Sequence, residues 1–211
     1  MLRLLFPSKC ILCRKLLPTR ESDICRECQR EVPKFKKLKR KIPFIAHFTS
    51  LWYYKGSAKG SLLRFKFFGC PGYGKVYGRL LARMLREEEF DLLSWTPVSF
   101  LRHYRRGYDQ AKLIAKAAAK EMGIQAVPTL RKYRHTPPLS HTLDAAQRRA
   151  IVAGAYKVVS PSRIIGKRIL LIDDVLTTGV TASECAKTLL LAGAKEILFA
   201  TVAVAYEYQN K

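Results

Sequence analysis

Thirteen consecutive residues constrain this chain more than any other stretch: Ile169-Leu170-Leu171-Ile172-Asp173-Asp174-Val175-Leu176-Thr177-Thr178-Gly179-Val180-Thr181. Residues 169–172 are all apolar, the pattern of a strand buried on both faces and so of a parallel sheet covered by helices. Asp173 and Asp174 follow at the carboxyl edge of that strand, where open α/β sheets put ligands. Thr177, Thr178, Gly179 and Thr181 then lead into an apolar run, 181–192, that reads as a helix ended by Gly193. Backbone N–H groups and hydroxyls in such a loop can surround a phosphate at a helix N-terminus, and Gly179 lets the backbone approach it closely. Asp and Thr also cap helices. Capping explains one or two of these residues, but not two adjacent acids followed by four loop residues of phosphate-binding type.

The rest of the chain supports a layered α/β fold. From about residue 90, stretches of strand and helix character alternate: strands over 90–98, 126–130, 151–159, 168–172 and 196–204, helices over 110–122 and 181–192. Upstream, 48–54 is β-prone. Ser57 can cap a helix through Leu62, Leu63, Phe65 and Lys66, stopped by Gly69-Cys70-Pro71-Gly72. Residues 75–88 form a second helical pattern with Val76, Leu80, Leu81, Met84 and Leu85 as its apolar face. A length of 211 residues, 48% of them hydrophobic, allows one α/β domain with a small appendage and excludes wholesale disorder.

The appendage is marked by Cys10-Ile11-Leu12-Cys13 and Cys25-Arg26-Glu27-Cys28, a C-x2-C-x11-C-x2-C pattern. Each pair places two thiolates on one tight turn, and the spacer can fold back to complete a tetrahedron around structural zinc. Disulfides and redox C-x2-C motifs are the alternatives. A reducing compartment disfavours the first, and the second lacks a βαβ context here. Four thiolates close the coordination shell, so a catalytic zinc is not expected. Cys185 falls in a helical pattern as core filling, and Cys70 in a loop has no evident partner. The expected division is a four-cysteine finger over 1–35, a basic linker over 36–46 and the α/β domain over 47–211.

Charge is the other strong signal. The chain carries 39 Lys and Arg against 16 Asp and Glu, a net +23. Residues 1–149 hold 32 of these bases and 11 of the acids, so nearly all the excess precedes the phosphate-loop strand. A polyanionic partner follows: nucleic acid, phosphorylated ligand or anionic membrane surface. The densest run spans 34–41. It is either a solvated linker or a phosphate-backbone contact strip formed by Lys36, Lys37, Lys39, Arg40 and Lys41. Lys66 joins these candidates because aromatics interleave with the bases around it, although core packing accounts for most such aromatics. His47, His103, His135 and His141 suit solvated or phosphate-facing positions better than proton transfer. No run approaches the ~20 apolar residues of a membrane span, and the N-terminal apolar stretch is short for a signal peptide, so a cytoplasmic location is expected.

The stretch from Ile169 to Thr181 resembles the phosphoribosyl-pyrophosphate (PRPP) loop of type I phosphoribosyltransferases at every position. That resemblance implies that Asp173 and Asp174 hold the ribose hydroxyls, while Thr177, Thr178, Gly179, Val180 and Thr181 hold the 5′-phosphate. It also implies a Mg²⁺-assisted departure of pyrophosphate from C1′ through an oxocarbenium-like state. Nearly the whole chain resembles the ComF family, associated with natural competence and DNA uptake. The resemblance rests on the cysteine finger, the segment ending near Lys66, Arg106-Gly107-Tyr108-Asp109-Gln110, Pro97-Val98, Arg134-His135-Thr136-Pro137-Pro138 and Arg148-Arg149. By resemblance, the loop after Pro97 faces pyrophosphate, with Arg102, Arg105 and Arg106 as its cations and Arg106 grouped with the two aspartates as catalytic. Asp109, Ser99, Leu139 and Ile151 depart from the family pattern, and Asp109 and Leu139 remove amides that could read an acceptor. The resemblance thus implies PRPP with Mg²⁺ as ligand, phosphoribosyl transfer as a possible reaction, and competence as the setting. Single-stranded DNA binding, or scaffolding of a DNA-uptake helicase or other competence protein, is the alternative.

Overall fold

The structure is a computed structural model describing residues 8–18, 23–37, 41–101, 104, 107–136 and 144–205. In chain order the elements are α1 (Arg26–Glu31), β1 (His47–Tyr53), α2 (Gly56–Phe67), α3 (Tyr73–Met84), β2 (Leu92–Trp95), α4 (Gln110–Glu121), β3 (Leu130–Lys132), α5 (Ala145–Val152), β4 (Tyr156–Val158), a short 3₁₀ turn (Pro161–Arg163), β5 (Arg168–Leu176), α6 (Val180–Leu191) and β6 (Glu196–Val204).

Four strands form a parallel sheet in the order β1-β6-β5-β2, and β3 and β4 form a separate antiparallel ribbon. The two central strands carry the apolar runs, as a sheet covered on both faces requires. Alternation along β5 sorts its side chains. Leu170 and Ile172 enter the core with α2, α3 and α4, whereas Ile169 and Leu171 face α6 and the ribbon. The same rule sends Asp174 toward α2 and Asp173 toward α6.

The cysteine segment does not stand apart. Cys10, Ile11, Leu12, Ile24, Cys28 and Val32 are buried in the same core as Leu62, Phe65, Tyr77 and Leu81. Beyond α1, Pro33 and Phe35 exchange backbone hydrogen bonds with β1 (Tyr53 N–H to Pro33 O 2.8 Å, Phe35 N–H to Leu51 O 3.2 Å), which covers an otherwise open sheet edge. Phe35, inside the basic run, packs its ring against Phe48 and Tyr53.

Three elements differ from the sequence reading. The apolar stretch expected as a strand over 151–159 is divided. Asp144 and Gln147 make a reciprocal capping box, so the helix they start runs through Ile151 and Val152; Gly154, at φ +65°, ends it, and only 156–158 are strand. The strand expected over 168–172 continues to Leu176, because β6 stays in register alongside it, pairing Asp173 with Thr201 and Leu176 with Val204. The acids therefore lie within the strand. The strand expected over 126–130 reduces to a single bridge from Ala126 to Leu93 and the three-residue β3.

Candidate functional site

A cavity of about 730 Å³ opens at the carboxyl ends of β2 and β5, and Asp173, Asp174, Thr177, Thr178, Gly179 and Thr181 all line it. Gly179 stands at φ +75°, the left-handed region that favours glycine, and turns the chain directly into α6. No side chain caps that helix. Among the described residues, no protein acceptor takes the N–H groups of Thr177, Thr178 or Gly179, and the first-turn amides of a helix have no intrahelical partner. The loop thus presents a row of unused donors to an open cavity, the arrangement that receives an anion.

The two acids are held differently. Asp174 is buried and paired with Lys66, whose Nζ lies 3.0 Å from its Oδ1. Asp173 is half-buried, and its Oδ1 accepts the Asp174 N–H at 2.7 Å. Loss of solvent, followed by the charge of Asp174, pushes the Asp173 carboxyl up to about 8. An acid with a Lys66 partner therefore sits beside one whose carboxyl resists ionisation, and the oxygens of both can bond to vicinal hydroxyls.

The opposite wall adds Lys132 and Thr96, which sequence reasoning did not single out, to Gln110, His135 and Thr136 of the segments it did name. Lys132 on β3 donates to Thr136 Oγ1 at 2.8 Å and lies over the Tyr156 ring. Ser99 Oγ is 3.1 Å from His135 Nδ1, Gln110 lines the cavity, and the buried Thr96 hydroxyl has no hydrogen-bond partner among the described residues. Lys132 lay hidden in the run Arg131-Lys132-Tyr133-Arg134, where only the β3–β4 pairing decides which base faces inward. Asp109, a departure from the family pattern, is the N-cap of α4 and accepts the Lys112 N–H at 3.0 Å.

Lys66 belongs to this cavity and not to the surface run with which its sequence grouped it. Lys36, Lys37 and Lys41 are exposed. Lys39, Arg40, Arg102, His103, Arg105, Arg106, Leu139 and His141 lie outside the described residues. Of the aromatics, Trp52, Phe65 and Tyr77 are core, whereas Phe68, Phe100 and Tyr104 are more than 70% exposed.

The four cysteines Cys10, Cys13, Cys25 and Cys28 converge, with all their Sγ atoms within 4.8 Å of one another. A zinc–sulfur distance near 2.3 Å sets sulfurs about 3.8 Å apart in a tetrahedron, and Cys13 and Cys25 are 3.7 Å apart. The Cys25 N–H points at Cys10 Sγ and the Cys28 N–H at Cys25 Sγ, at 3.4 and 3.5 Å, the outer-shell donors that thiolate ligands require. Burial raises the Cys10 thiol, but backbone donors at Cys13, Cys25 and Leu12 outweigh it and bring it down to about 7. The residues fit a closed structural zinc site.

Residues 1–38 match the double zinc ribbon domain. Competence protein F of Haemophilus influenzae is 26% identical, over 91% of this chain and 95% of that protein. DNA utilization protein YhgH of Salmonella typhimurium is 32% identical over 51% of this chain, a stretch spanning 46% of that protein. Among solved structures, 62% of this chain superposes on 26% of the glutamine phosphoribosylpyrophosphate amidotransferase of B. subtilis, with 24% identity and a TM-score of 0.43. From its four-cysteine zinc ribbon through the parallel sheet, the chain is similar to the ComF group of competence proteins.

Proposed function

We propose that this protein binds PRPP, or a closely related 5-phosphoribosyl ligand, together with Mg²⁺ in the cavity above β5, and that it serves DNA handling in natural competence. The observation that carries the ligand reading is the coincidence of unused loop amides and paired acids on one cavity. The 5′-phosphate fits the donors of Thr177, Thr178, Gly179, Val180 and Thr181. The ribose hydroxyls fit Asp173 and Asp174, and Arg102, Arg105 and Arg106 supply cations toward pyrophosphate. Mg²⁺, when bound with the ligand, would supply charge that favours departure of pyrophosphate. Phosphoribosyl transfer is the reaction such a site supports, mainly by positioning and charge stabilisation. The competence setting is supported by the names of the similar proteins.

Calorimetric titration with PRPP and Mg²⁺ tests the reading. Measurable binding is expected, and Asp173→Asn combined with Asp174→Asn should abolish it. Absence of heat, together with an unchanged melting temperature, removes the proposal.

A second reading, single-stranded DNA binding, is favoured by the charge of the first 149 residues and by the exposed Phe68, Phe100 and Tyr104. It predicts affinity that falls with salt by about 0.7 log units per log unit for each phosphate neutralised. Changing Lys36, Lys37, Lys39, Arg40 and Lys41 together to Ser should flatten that slope. Salt-independent binding would eliminate this reading.

A further inference from the structure

The ligand cavity and the zinc ribbon share one helix. At its middle, Ser61 Oγ donates to the Ile11 carbonyl at 2.7 Å and lies 2.6 Å from Tyr77 Oη. One turn on, Arg64 Nη2 donates to the carbonyls of Ile11 at 3.0 Å and Leu12 at 2.6 Å, while its Nε reaches Tyr73 Oη at 3.3 Å. Ile11 and Leu12 are the two residues between the first pair of cysteines, so their carbonyls belong to the turn that carries two of the four candidate zinc ligands. Two residues beyond Arg64, in the last turn of the same helix, Lys66 pairs with Asp174.

The helix is weak on its own, and tertiary contacts hold it: Ala58, Leu62 and Phe65 are fully buried in the core. It starts at Gly56 with no side-chain cap, carries Gly60 in its interior and is 12 residues long. Helices of that length are marginal alone, and an interior glycine costs about 1 kcal/mol relative to alanine. Burial of Ala58, Leu62 and Phe65 sets its depth in the core; the polar ties that fix it along and about its axis are the Tyr108 hydroxyl donating to the Phe65 carbonyl and the bonds from Ser61 and Arg64 to the cysteine turn.

We propose that the zinc turn is a positioning element of the ligand cavity: through Ser61 and Arg64 it fixes α2, and thereby the placement of Lys66 against Asp174. Arg64 and Ser61 are positioning residues that touch no ligand. Metal occupancy and ligand binding are then linked, and the linkage is reciprocal.

The test that needs no ligand measures acylation of Lys66 by N-hydroxysuccinimidyl acetate in the full chain, by mass spectrometry, with zinc content recorded on the same samples. Lys132, on the other wall of the cavity and off this helix, is the internal reference. Stripping zinc should raise Lys66 labelling about fivefold relative to Lys132, on the scale of a lost ion pair. Arg64→Ala should do the same with zinc retained, and Arg64→Lys should restore part of the protection. Equal labelling of Lys66 with and without zinc, or a parallel rise at Lys132, overturns the proposal, including where Arg64→Ala fails to fold.

A second arm rests on the phosphoribosyl reading: PRPP with Mg²⁺ should slow zinc extraction by a chelator. Lys66 responding to zinc while PRPP has no effect and gives no binding heat would sink the ligand reading and leave the positioning role standing. PRPP binding with Lys66 indifferent to zinc would do the opposite.

Discussion

Asp173 is the residue at which structure and proposed chemistry pull in different directions. Its carboxyl is raised from the ordinary 3.8 to about 8 by burial and then by Asp174. The sign follows directly. Below about pH 4 the group is protonated in both folded and unfolded chains and costs nothing; between about 4 and 8 the unfolded chain ionises while the folded one resists, so folding stability drains away as pH rises. Asp173→Asn keeps the oxygen that accepts the Asp174 N–H and removes the titration. The variant should match the wild type near pH 4 and melt higher at pH 8, by roughly 1–2 kcal/mol after allowing for solvent reaching a half-buried group. Thermal melts across that range check it, and a difference that does not grow with pH contradicts it. The pairing of acids was plain in the sequence, because Asp173-Asp174 follows an apolar run and precedes a Thr-Gly loop. Which acid carries the counter-ion was not legible. Lys66 lies more than a hundred residues upstream, and only the packing of α2 on β5 brings it to Asp174.

At the scale of elements, two glycines in helices have opposite meanings. Gly78 on α3 lies against α4 so closely that an added Cβ would stand 2.4 Å from Ala117 Cβ, 2.7 Å from Ala118 N and 2.8 Å from Ile114 O. Two of those atoms are backbone and cannot swing away. Alanine gains about 1 kcal/mol in helix propensity, but parting two packed helices costs more, so Gly78→Ala should lower stability by about 2–3 kcal/mol. Gly60 on α2 would bring its Cβ only into ordinary van der Waals contact with Arg64 Nη1, at 3.5 Å, so Gly60→Ala should raise stability by about 0.5–1 kcal/mol. Urea midpoints of the two variants test the pair, and same-direction shifts would refute the packing argument. Of the apolar face read for α3, Leu81 and Leu85 are buried while Val76, Leu80 and Met84 are only half-buried; Tyr77, which that face did not include, also fills the core. The glycine face carries no hydrophobic signal, so periodicity missed the tightest contact of the helix. Helix α5 escaped for a related reason: Ile151 and Val152 have strand-forming side chains, and the capping box at Asp144 decides for helix.

At the scale of the whole molecule, the zinc turn and the α/β domain share one hydrophobic core, and this sets what metal removal will do. Sequence spacing suggests a finger that folds by itself, with the domain indifferent to its loss. The structure ties them together through Ile11, Leu12, Ile24 and Val32, all under 10% exposed, through the Arg64 and Ser61 bonds, and through the Arg79–Asp23 ion pair. Small four-thiolate units depend on their metal for folding, so chelation should release these side chains. Each is worth about 1.5–3 kcal/mol when fully buried. Even partial re-burial against Trp52 and Leu62 leaves a loss of several kcal/mol, and a chain of this size loses about 2–4 °C in melting temperature per kcal/mol. Zinc-stripped protein should therefore melt at least about 10 °C lower as a whole, with α2 and α3 gaining hydrogen exchange before the sheet does. Calorimetry and exchange on zinc-loaded and chelated samples read this directly. An unchanged melting temperature after verified loss of zinc would mean that the ribbon is carried by the domain without supporting it.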